Sequence, residues 1–197
     1  AEFHARDDWY LNFRHRLELE RGLDSIEDLY CPGDFHLCLQ PGESATLICT
    51  ADVDAVKSPV AVLLADQQRR MALLDPVRQE PGWVRQLTLA ADQFIVRRPI
   101  AGSDAEGASV IAGYPWFGDW GRDTMIALPG LCLATGRSDI AARILRTWAG
   151  HVSEGLLPNC FPEDGATPLY NTADATLWYL HALDAYTQAS DDLQLLR

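Results

Sequence analysis

The chain has 197 residues, 48% of them hydrophobic and 22% charged, which is an ordinary composition for a globular protein of one or two domains. Its 16 Lys and Arg against 28 Asp and Glu give a net charge of −12, which argues against a nucleic-acid partner because phosphate binding needs clustered basic residues. No apolar run approaches the roughly 18 residues of a membrane span, so no membrane partner is predicted.

The N-terminal part of the chain predicts the end of a β-rich domain. Residues 1–30 are rich in charge and aromatic rings and give no clear period. Apolar residues alternate over 35–39 and again over 45–49, on either side of a turn sequence at 40–44. This pattern predicts a β-hairpin, which needs further strands for stability.

After residue 50 the period changes to that of helices. Ser58 and Pro59 favour a helix start, with Ser as N-cap and Pro at the first helical position, and the helix is expected to reach about Leu74. A second helix is predicted from about Trp83 to Arg98, because its apolar residues fall on one face.

Two long segments, 99–118 and 153–171, are predicted to be loops, and such long loops are often functional. Each leads towards a helix rich in apolar residues. The expected helices span about 122–134, 138–152 and 172–188, with a sixth beginning near 191. Ser138 or Asp139, Asn171 and Asp191 are the expected N-caps. Because helix N-termini carry positive dipole ends, polar ligands should bind where the loops meet them.

Residues 111–124, Ile-Ala-Gly-Tyr-Pro-Trp-Phe-Gly-Asp-Trp-Gly-Arg-Asp-Thr, concentrate aromatic rings, carboxylates and a guanidinium. Aromatic faces cover the apolar faces of a sugar ring, and Asp and Arg pair with its hydroxyls. The stretch therefore predicts a carbohydrate site, with Trp116 or Trp120 as a platform. By contrast, Trp148 and Trp178 are expected in the core.

Asp119 and Asp123 are four residues apart, so on one helix their Cβ atoms would lie about 5–6 Å apart. That spacing resembles the carboxyl pairs of glycosidases, about 5–5.5 Å in retaining and about 6.5–9.5 Å in inverting enzymes. Asp119 as a helix N-cap, an Asp–Arg pair that orders the loop, and binding of substrate hydroxyls fit as well. The residues alone leave these roles open.

The second loop has its own candidates. Asn171 and Asp174 fit a capping arrangement at the start of the following helix, or they turn towards the same pocket as Arg122 and Asp123. Glu163 is expected to be a solvated loop residue.

The five cysteines show neither zinc spacing nor a redox motif, so neither a metal nor a cofactor is predicted. Cys38, Cys49 and Cys132 are expected to be small buried hydrophobic residues in a reducing cytoplasm.

Three stretches closely resemble the glucosidase domain of glycogen debranching enzymes, the amylo-α-1,6-glucosidases. They are residues 110–136, which contain Trp-Phe-Gly-Asp-Trp-Gly-Arg-Asp-Thr, residues 155–159, Gly-Leu-Leu-Pro-Asn, and residues 170–178, Tyr-Asn-Thr-Ala-Asp-Ala-Thr-Leu-Trp. Residues 21–24, Arg-Gly-Leu-Asp, and 27–29, Glu-Asp-Leu, resemble the region of the bacterial type that joins a β-rich N-terminal domain to the helical domain.

The resemblance implies a mainly α fold, an incomplete (α/α)6 toroid preceded by the tail of a β-rich N-terminal domain. It divides the chain into the end of that domain (1–52), a linking helix (53–82) and the first part of the glucosidase domain (83–197). On this expectation the chain is a fragment, and the missing half of its own domain is a partner.

The implied reaction is hydrolysis, with inversion, of the α-1,6-linked glucose at a branch point of glycogen or limit dextrin. The general acid and base of the family are expected beyond Arg197, so no catalytic residue is predicted within the chain and the chain alone should be inactive. The motif Trp-x-Arg-Asp is similar to that of glucoamylase-like toroids, where Arg and Asp hold hydroxyls of the terminal glucose. The predicted substrate-binding residues are Trp116, Asp119, Trp120, Arg122, Asp123, Asn171 and Asp174.

Two alternatives remain for this sequence. One is another toroid glycoside hydrolase, glucoamylase-like or trehalase-like, because the Trp-x-Arg-Asp core is shared. The other is a fragment that binds glycans without catalysis.

Overall fold

The computed structural model describes residues 2–49, 58–99, 106–114, 117–162 and 167–196. The chain divides into two compact units, Ala1–Val62 and Leu63–Arg197. The division into domains at 1–52, 53–82 and 83–197 stays a prediction.

The first unit is built on an antiparallel hairpin. Strand β1 (Glu2–Arg14) pairs with strand β2 (Ile26–His36), and the short helix α1 (Arg16–Glu20) lies in the connection. The predicted hairpin over 35–39 and 45–49 is wrong, because β2 ends at His36 and residues 37–49 contain no strand. Two register shifts in the β1–β2 ladder break the alternation of β1, which is why its sequence shows no period of two.

Two helices follow the first unit's hairpin along the chain. Helix α2 (Pro59–Leu74) confirms the predicted bounds, and Ser58 Oγ accepts a hydrogen bond of 3.4 Å from the N–H of Ala61. Helix α3 (Gly82–Gln93) begins as predicted but ends earlier, because residues from Ile95 onwards join a sheet.

The second unit contains a four-stranded antiparallel sheet. Its strands β3 (Ile95–Pro99), β4 (Glu106–Gly113), β5 (Phe117–Trp120) and β6 (Cys160–Phe161) are ordered β3-β4-β5-β6. The two segments predicted to be loops, 99–118 and 153–171, therefore supply three of these strands. Strand β4 shows no alternation in its sequence because it is buried on both faces over much of its length.

Helices α4 (Gly121–Leu128) and α5 (Ser138–Ala149) pack against the sheet, and helix α6 (Asp174–Ser190) packs against α4 and α5. Helix α4 continues as a π-helical turn, Pro129–Leu133. Pro129 has no N–H to donate to the preceding turn of helix. In the wider π-helical turn that follows, the N–H of Ala134 donates to the carbonyl of Pro129 at 2.9 Å. These helices confirm the predicted ones apart from their ends.

The predicted N-caps of the C-terminal helices are wrong. The N-caps of α5 and α6 are Arg137 and Ala173, neither with a side-chain cap, so Ser138, Asp139 and Asn171 do not have that role. Asp191 ends α6 in a left-handed conformation instead of starting a helix, and the 3-10 turn Gln194–Leu196 follows.

The core of the second unit lies between the helices and β4. Helix α5 is amphipathic and turns Ile144, Leu145 and Trp148 inward, where all three are fully buried. The indole of Trp148 donates a 3.2 Å hydrogen bond to Ser109 Oγ on β4. The other large buried side chains are Met125, Leu128 and Leu157.

The mainly α fold and the incomplete (α/α)6 toroid are wrong for the described residues. Their helices cover an antiparallel sheet and form no ring, whereas the expected N-terminal β-strands are present. The expected mainly α fold was wrong because the segments predicted to be loops contain strands. These strands are short or buried on both faces, so neither a long apolar run nor an alternation of apolar and polar residues indicated them in the sequence. Among the described residues, no helix is both long and apolar enough to cross a membrane.

Candidate functional site

The site is built at the junction where β5 passes directly into α4. Trp120 has an extended backbone (φ −112°, ψ 128°) and is the N-cap of α4, without a side-chain cap. Gly121 follows, and its N–H donates to the carbonyl of Asn159 at 2.8 Å. A Cβ on Gly121 would lie 2.5 Å from the carbonyl oxygen of Pro158. The second motif region is therefore held against the first by a contact that only glycine permits.

Asp119 is buried, with 2% of its surface exposed, and forms a bidentate ion pair with Arg98 of β3. Arg98 Nε donates to Oδ2 at 3.0 Å and Nη2 donates to Oδ1 at 2.7 Å. Asp119 lies in a strand and Asp123 in a helix, so the two are not a carboxyl pair on one helix. The N-cap role for Asp119 is also wrong. Its substrate role stays a prediction.

Sequence reasoning missed Arg98. The residue was placed at the end of a helix, whereas the β-branched pair Ile95-Val96 before it is typical of a strand. That pair was the available signal.

Arg122 and Asp174 are brought together from positions 52 residues apart. Arg122 Nη1 donates to Asp174 Oδ2 at 3.1 Å, and the two residues lie in the first turns of α4 and α6. Their side chains are 55% and 40% exposed, so both remain accessible to a ligand. Burial alone would raise the pKa of Asp174, but its interactions with Thr172, Arg122 and the N–H of Ala175 outweigh burial and lower that pKa.

Asp123 lies elsewhere on α4 and lines a cavity of about 350 Å³. The other lining residues are apolar: Phe94, Val110, Ile111, Ala112, Ile126, Ala127 and Leu131. At this edge Tyr114 packs on Phe94 at a ring distance of 6.0 Å, and its hydroxyl donates to the carbonyl of Gln93 at 2.6 Å. The structure thus brings Arg122 to Asp174 but places Asp123 beside different neighbours.

The remaining predicted residues have mixed outcomes. Trp116 and Glu163 lie outside the described residues. Trp120 is half-buried, and Asn171 is exposed in the segment that leads to α6. Trp148 is in the core as predicted, but Trp178 is 36% exposed and meets His181 edge-on, so that prediction is wrong.

The cysteine predictions were correct only in part. Cys132 is buried, and burial raises the pKa of its thiol to about 11. Cys38 and Cys49 are exposed, because the hairpin predicted to bury them does not form. Within the described part of the chain, no three His, Cys, Asp or Glu side chains are placed to hold a metal ion.

Comparison with known proteins gives two family matches. Residues 89–197 match the family described as amylo-alpha-1,6-glucosidase, and residues 1–46 match the one described as glycogen debranching enzyme N terminal. A glycogen debranching enzyme of Saccharomyces cerevisiae is 37% identical over 89 residues, which are 43% of this chain and 6% of the yeast protein. The match thus spans a small part of that relative's length.

Proposed function

We propose, since the chain belongs to the amylo-alpha-1,6-glucosidase family, that its second unit forms a glucose-binding site used in glycogen debranching. The proposed reaction is hydrolysis, with inversion, of the α-1,6-linked glucose at a branch point. The proposed substrate is glycogen or its limit dextrin.

The contact between Arg122 and Asp174 carries this proposal. It joins the two motif regions at the N-termini of α4 and α6, and both side chains keep a substantial exposed surface. A guanidinium offers several donors in one plane and a carboxylate offers acceptors, so the pair can bond adjacent hydroxyls of one sugar ring. The positive ends of two helix dipoles add further attraction for hydroxyl oxygens.

The other residues take supporting roles in the proposal. Asp123 binds a hydroxyl at the mouth of its cavity, and Trp120 contributes an aromatic face next to Arg122. Asp119 holds the β5–α4 junction in place through Arg98. Trp116 and Asn171 are proposed as further ligand contacts.

None of the carboxylates at the junction is assigned to proton transfer. Both oxygens of the buried Asp119 are occupied by Arg98. Asp174 accepts a charge-assisted hydrogen bond from Arg122 and has a lowered pKa, which suits a hydroxyl acceptor better than a general acid.

The test is an assay of the full-length gene product for the release of glucose from limit dextrin. NMR identifies which anomer of glucose is released first. Inversion at an α-linkage gives β-glucose first. Asp123→Ala should lower kcat/KM by about 30-fold to 1000-fold, since an unpaired polar group costs about 2–4 kcal/mol. Arg122→Lys should also lower it, because a point charge does not replace a planar fork. Arg97→Lys is the control, since Arg97 is 85% exposed and pairs with Glu106.

A kcat/KM for Asp123→Ala within about threefold of the parent, under about 1 kcal/mol, would contradict the assigned role. Faster turnover of maltose or trehalose than of isomaltose would favour the glucoamylase-like or trehalase-like alternative. Release of α-glucose first would refute inversion.

A further inference from the structure

Two buried polar atoms at the start of α6 have no hydrogen-bond partner. They are the hydroxyl oxygen of Thr172 and Oδ1 of Asp174, and no other buried side-chain atom of the described residues is left in this state. Buried polar atoms are nearly always paired in folded proteins, because an unpaired one has lost its bonds to water without replacement. The occurrence of two such atoms within three residues of a motif therefore needs an explanation.

The carboxylate of Asp174 has two unlike oxygens. Oδ2 accepts the hydrogen bond of 3.1 Å from Arg122, whereas Oδ1 is shielded from solvent. The side chain as a whole is 40% exposed, so its exposed surface does not include Oδ1. A ligand in the proposed site can therefore reach Asp174 only on the side away from Oδ1, and the group that holds Oδ1 decides how the carboxylate is aimed.

Thr172 is placed to hold Oδ1. It is half-buried and directly precedes Ala173, the N-cap of α6. Burial opposes the charged form of Asp174, and the interaction with the side chain of Thr172 is the strongest of those that lower the pKa of the carboxyl. An ionised carboxylate only accepts hydrogen bonds, whereas a threonine hydroxyl has a proton to donate and rotates to suit its partner. One bond from Thr172 to Asp174 would thus satisfy both buried atoms.

We propose that Thr172 is a positioning residue, whose hydroxyl donates to Oδ1 of Asp174 and keeps Oδ2 turned towards Arg122. Two oxygens tied to different partners cannot exchange places by rotation about the Cβ–Cγ bond, so the carboxylate stays aimed. Because its own oxygen is buried, Thr172 acts through Asp174 and not on the ligand. The effect on glucose binding rests on the proposed function, whereas the bond between hydroxyl and carboxylate does not.

The first test is a ¹³C NMR titration of the Asp174 carboxyl in the 197-residue chain. Thr172→Val removes the hydroxyl but nearly keeps the shape of the side chain, and it should raise the pKa of Asp174 above that of the parent. Thr172→Ser keeps the hydroxyl and should leave the pKa close to the parent value. Thr187→Val is the matched control, since Thr187 lies on the same helix and donates to the carbonyl of Asp184 at 2.8 Å, and it should not change the pKa.

The second test is glucose release from limit dextrin by the full-length gene product. Thr172→Val should lower kcat/KM about tenfold, the order expected for the loss of one hydrogen bond to a charged group. Thr172→Ser should stay within about threefold of the parent. Thr187→Val should match the parent, because its hydroxyl bonds the backbone of its own helix.

An Asp174 pKa that is the same in Thr172→Val and in the parent would overturn the inference. If Thr172→Val does not fold, the hydroxyl proton of Thr172 in the parent decides. A bonded proton should exchange slowly enough to give its own NMR signal, and one that exchanges too fast to be seen would also overturn the inference.

The two tests separate this inference from the proposed function. A raised pKa in Thr172→Val with undiminished glucose release would refute the positioning role. If Arg122→Lys and Asp123→Ala keep full activity while Thr172→Val raises the pKa of Asp174, only the proposed function fails.

Discussion

Gly121→Ala should destabilise the second unit, because the residue sits where two chain segments meet without room for a side chain. An added Cβ would lie 2.5 Å from the carbonyl oxygen of Pro158, 3.1 Å from the Cβ of Ala175 and 3.2 Å from the indole of Trp148. Real Cβ atoms essentially never approach closer than 3.0 Å, so the backbone must move by about 0.5 Å (3.0 − 2.5). The oxygen belongs to the backbone of a buried residue and has no rotamer by which to escape.

The magnitude follows from three contributions. Overpacking costs about 1–3 kcal/mol, and weakening the Gly121–Asn159 hydrogen bond costs about 0.5–1.5 kcal/mol. The gain from replacing glycine by alanine in a helix, up to about 1 kcal/mol, offsets part of this. The net loss should be about 2 kcal/mol, or close to 30-fold in the unfolding equilibrium.

Hydrogen exchange of peptides from α5, measured against urea, reports the stability of the second unit separately from the hairpin. Gly130→Ala is the matched control. Gly130 lies in the π-helical turn with no atom within 4 Å of an added Cβ, so its replacement should be neutral or stabilising by up to about 1 kcal/mol. A Gly121→Ala protein within 0.5 kcal/mol of the parent, or an equal loss in Gly130→Ala, would refute the reasoning.

Other expected outcomes concern charge and burial. Arg98→Met should cost about 3–5 kcal/mol in urea unfolding, because it leaves the buried carboxylate of Asp119 uncompensated, whereas Asp119→Asn should cost less since Arg98 is 41% exposed. Arg122→Ala should raise the pKa of Asp174 in a ¹³C NMR titration, and an unchanged pKa would show that the contact does not persist in solution. At pH 8 iodoacetamide should modify the two exposed cysteines and spare Cys132, whose thiol is buried with a pKa of about 11, until the protein unfolds.

The stability contributed through Asp174 should depend on pH in a defined direction. Its pKa is lowered in the folded state, so the contribution is present above the ordinary pKa of 3.8 and is lost as the pH falls through the lower folded value. The contact with Arg122 is therefore expected to be intact at neutral pH.

The sequence by itself determined the helices and the family. The apolar period of helices α2, α4, α5 and α6 can be read within each segment. The long motifs over 110–136 and 170–178 indicate the family without any knowledge of the fold. Such signals are local, because a few turns of helix contain the whole pattern.

Only the tertiary structure decided the sheets and the pairings in the site. Strand β4 is buried on both faces and β1 is bulged, so neither shows a period of two, and their partners lie elsewhere in the chain. The partner of Asp119 is 21 residues away, and that of Arg122 is 52 residues away. Arg122 and Asp123 point apart because adjacent residues of a helix do not share a face, and the tertiary structure decided only which neighbours each of them has.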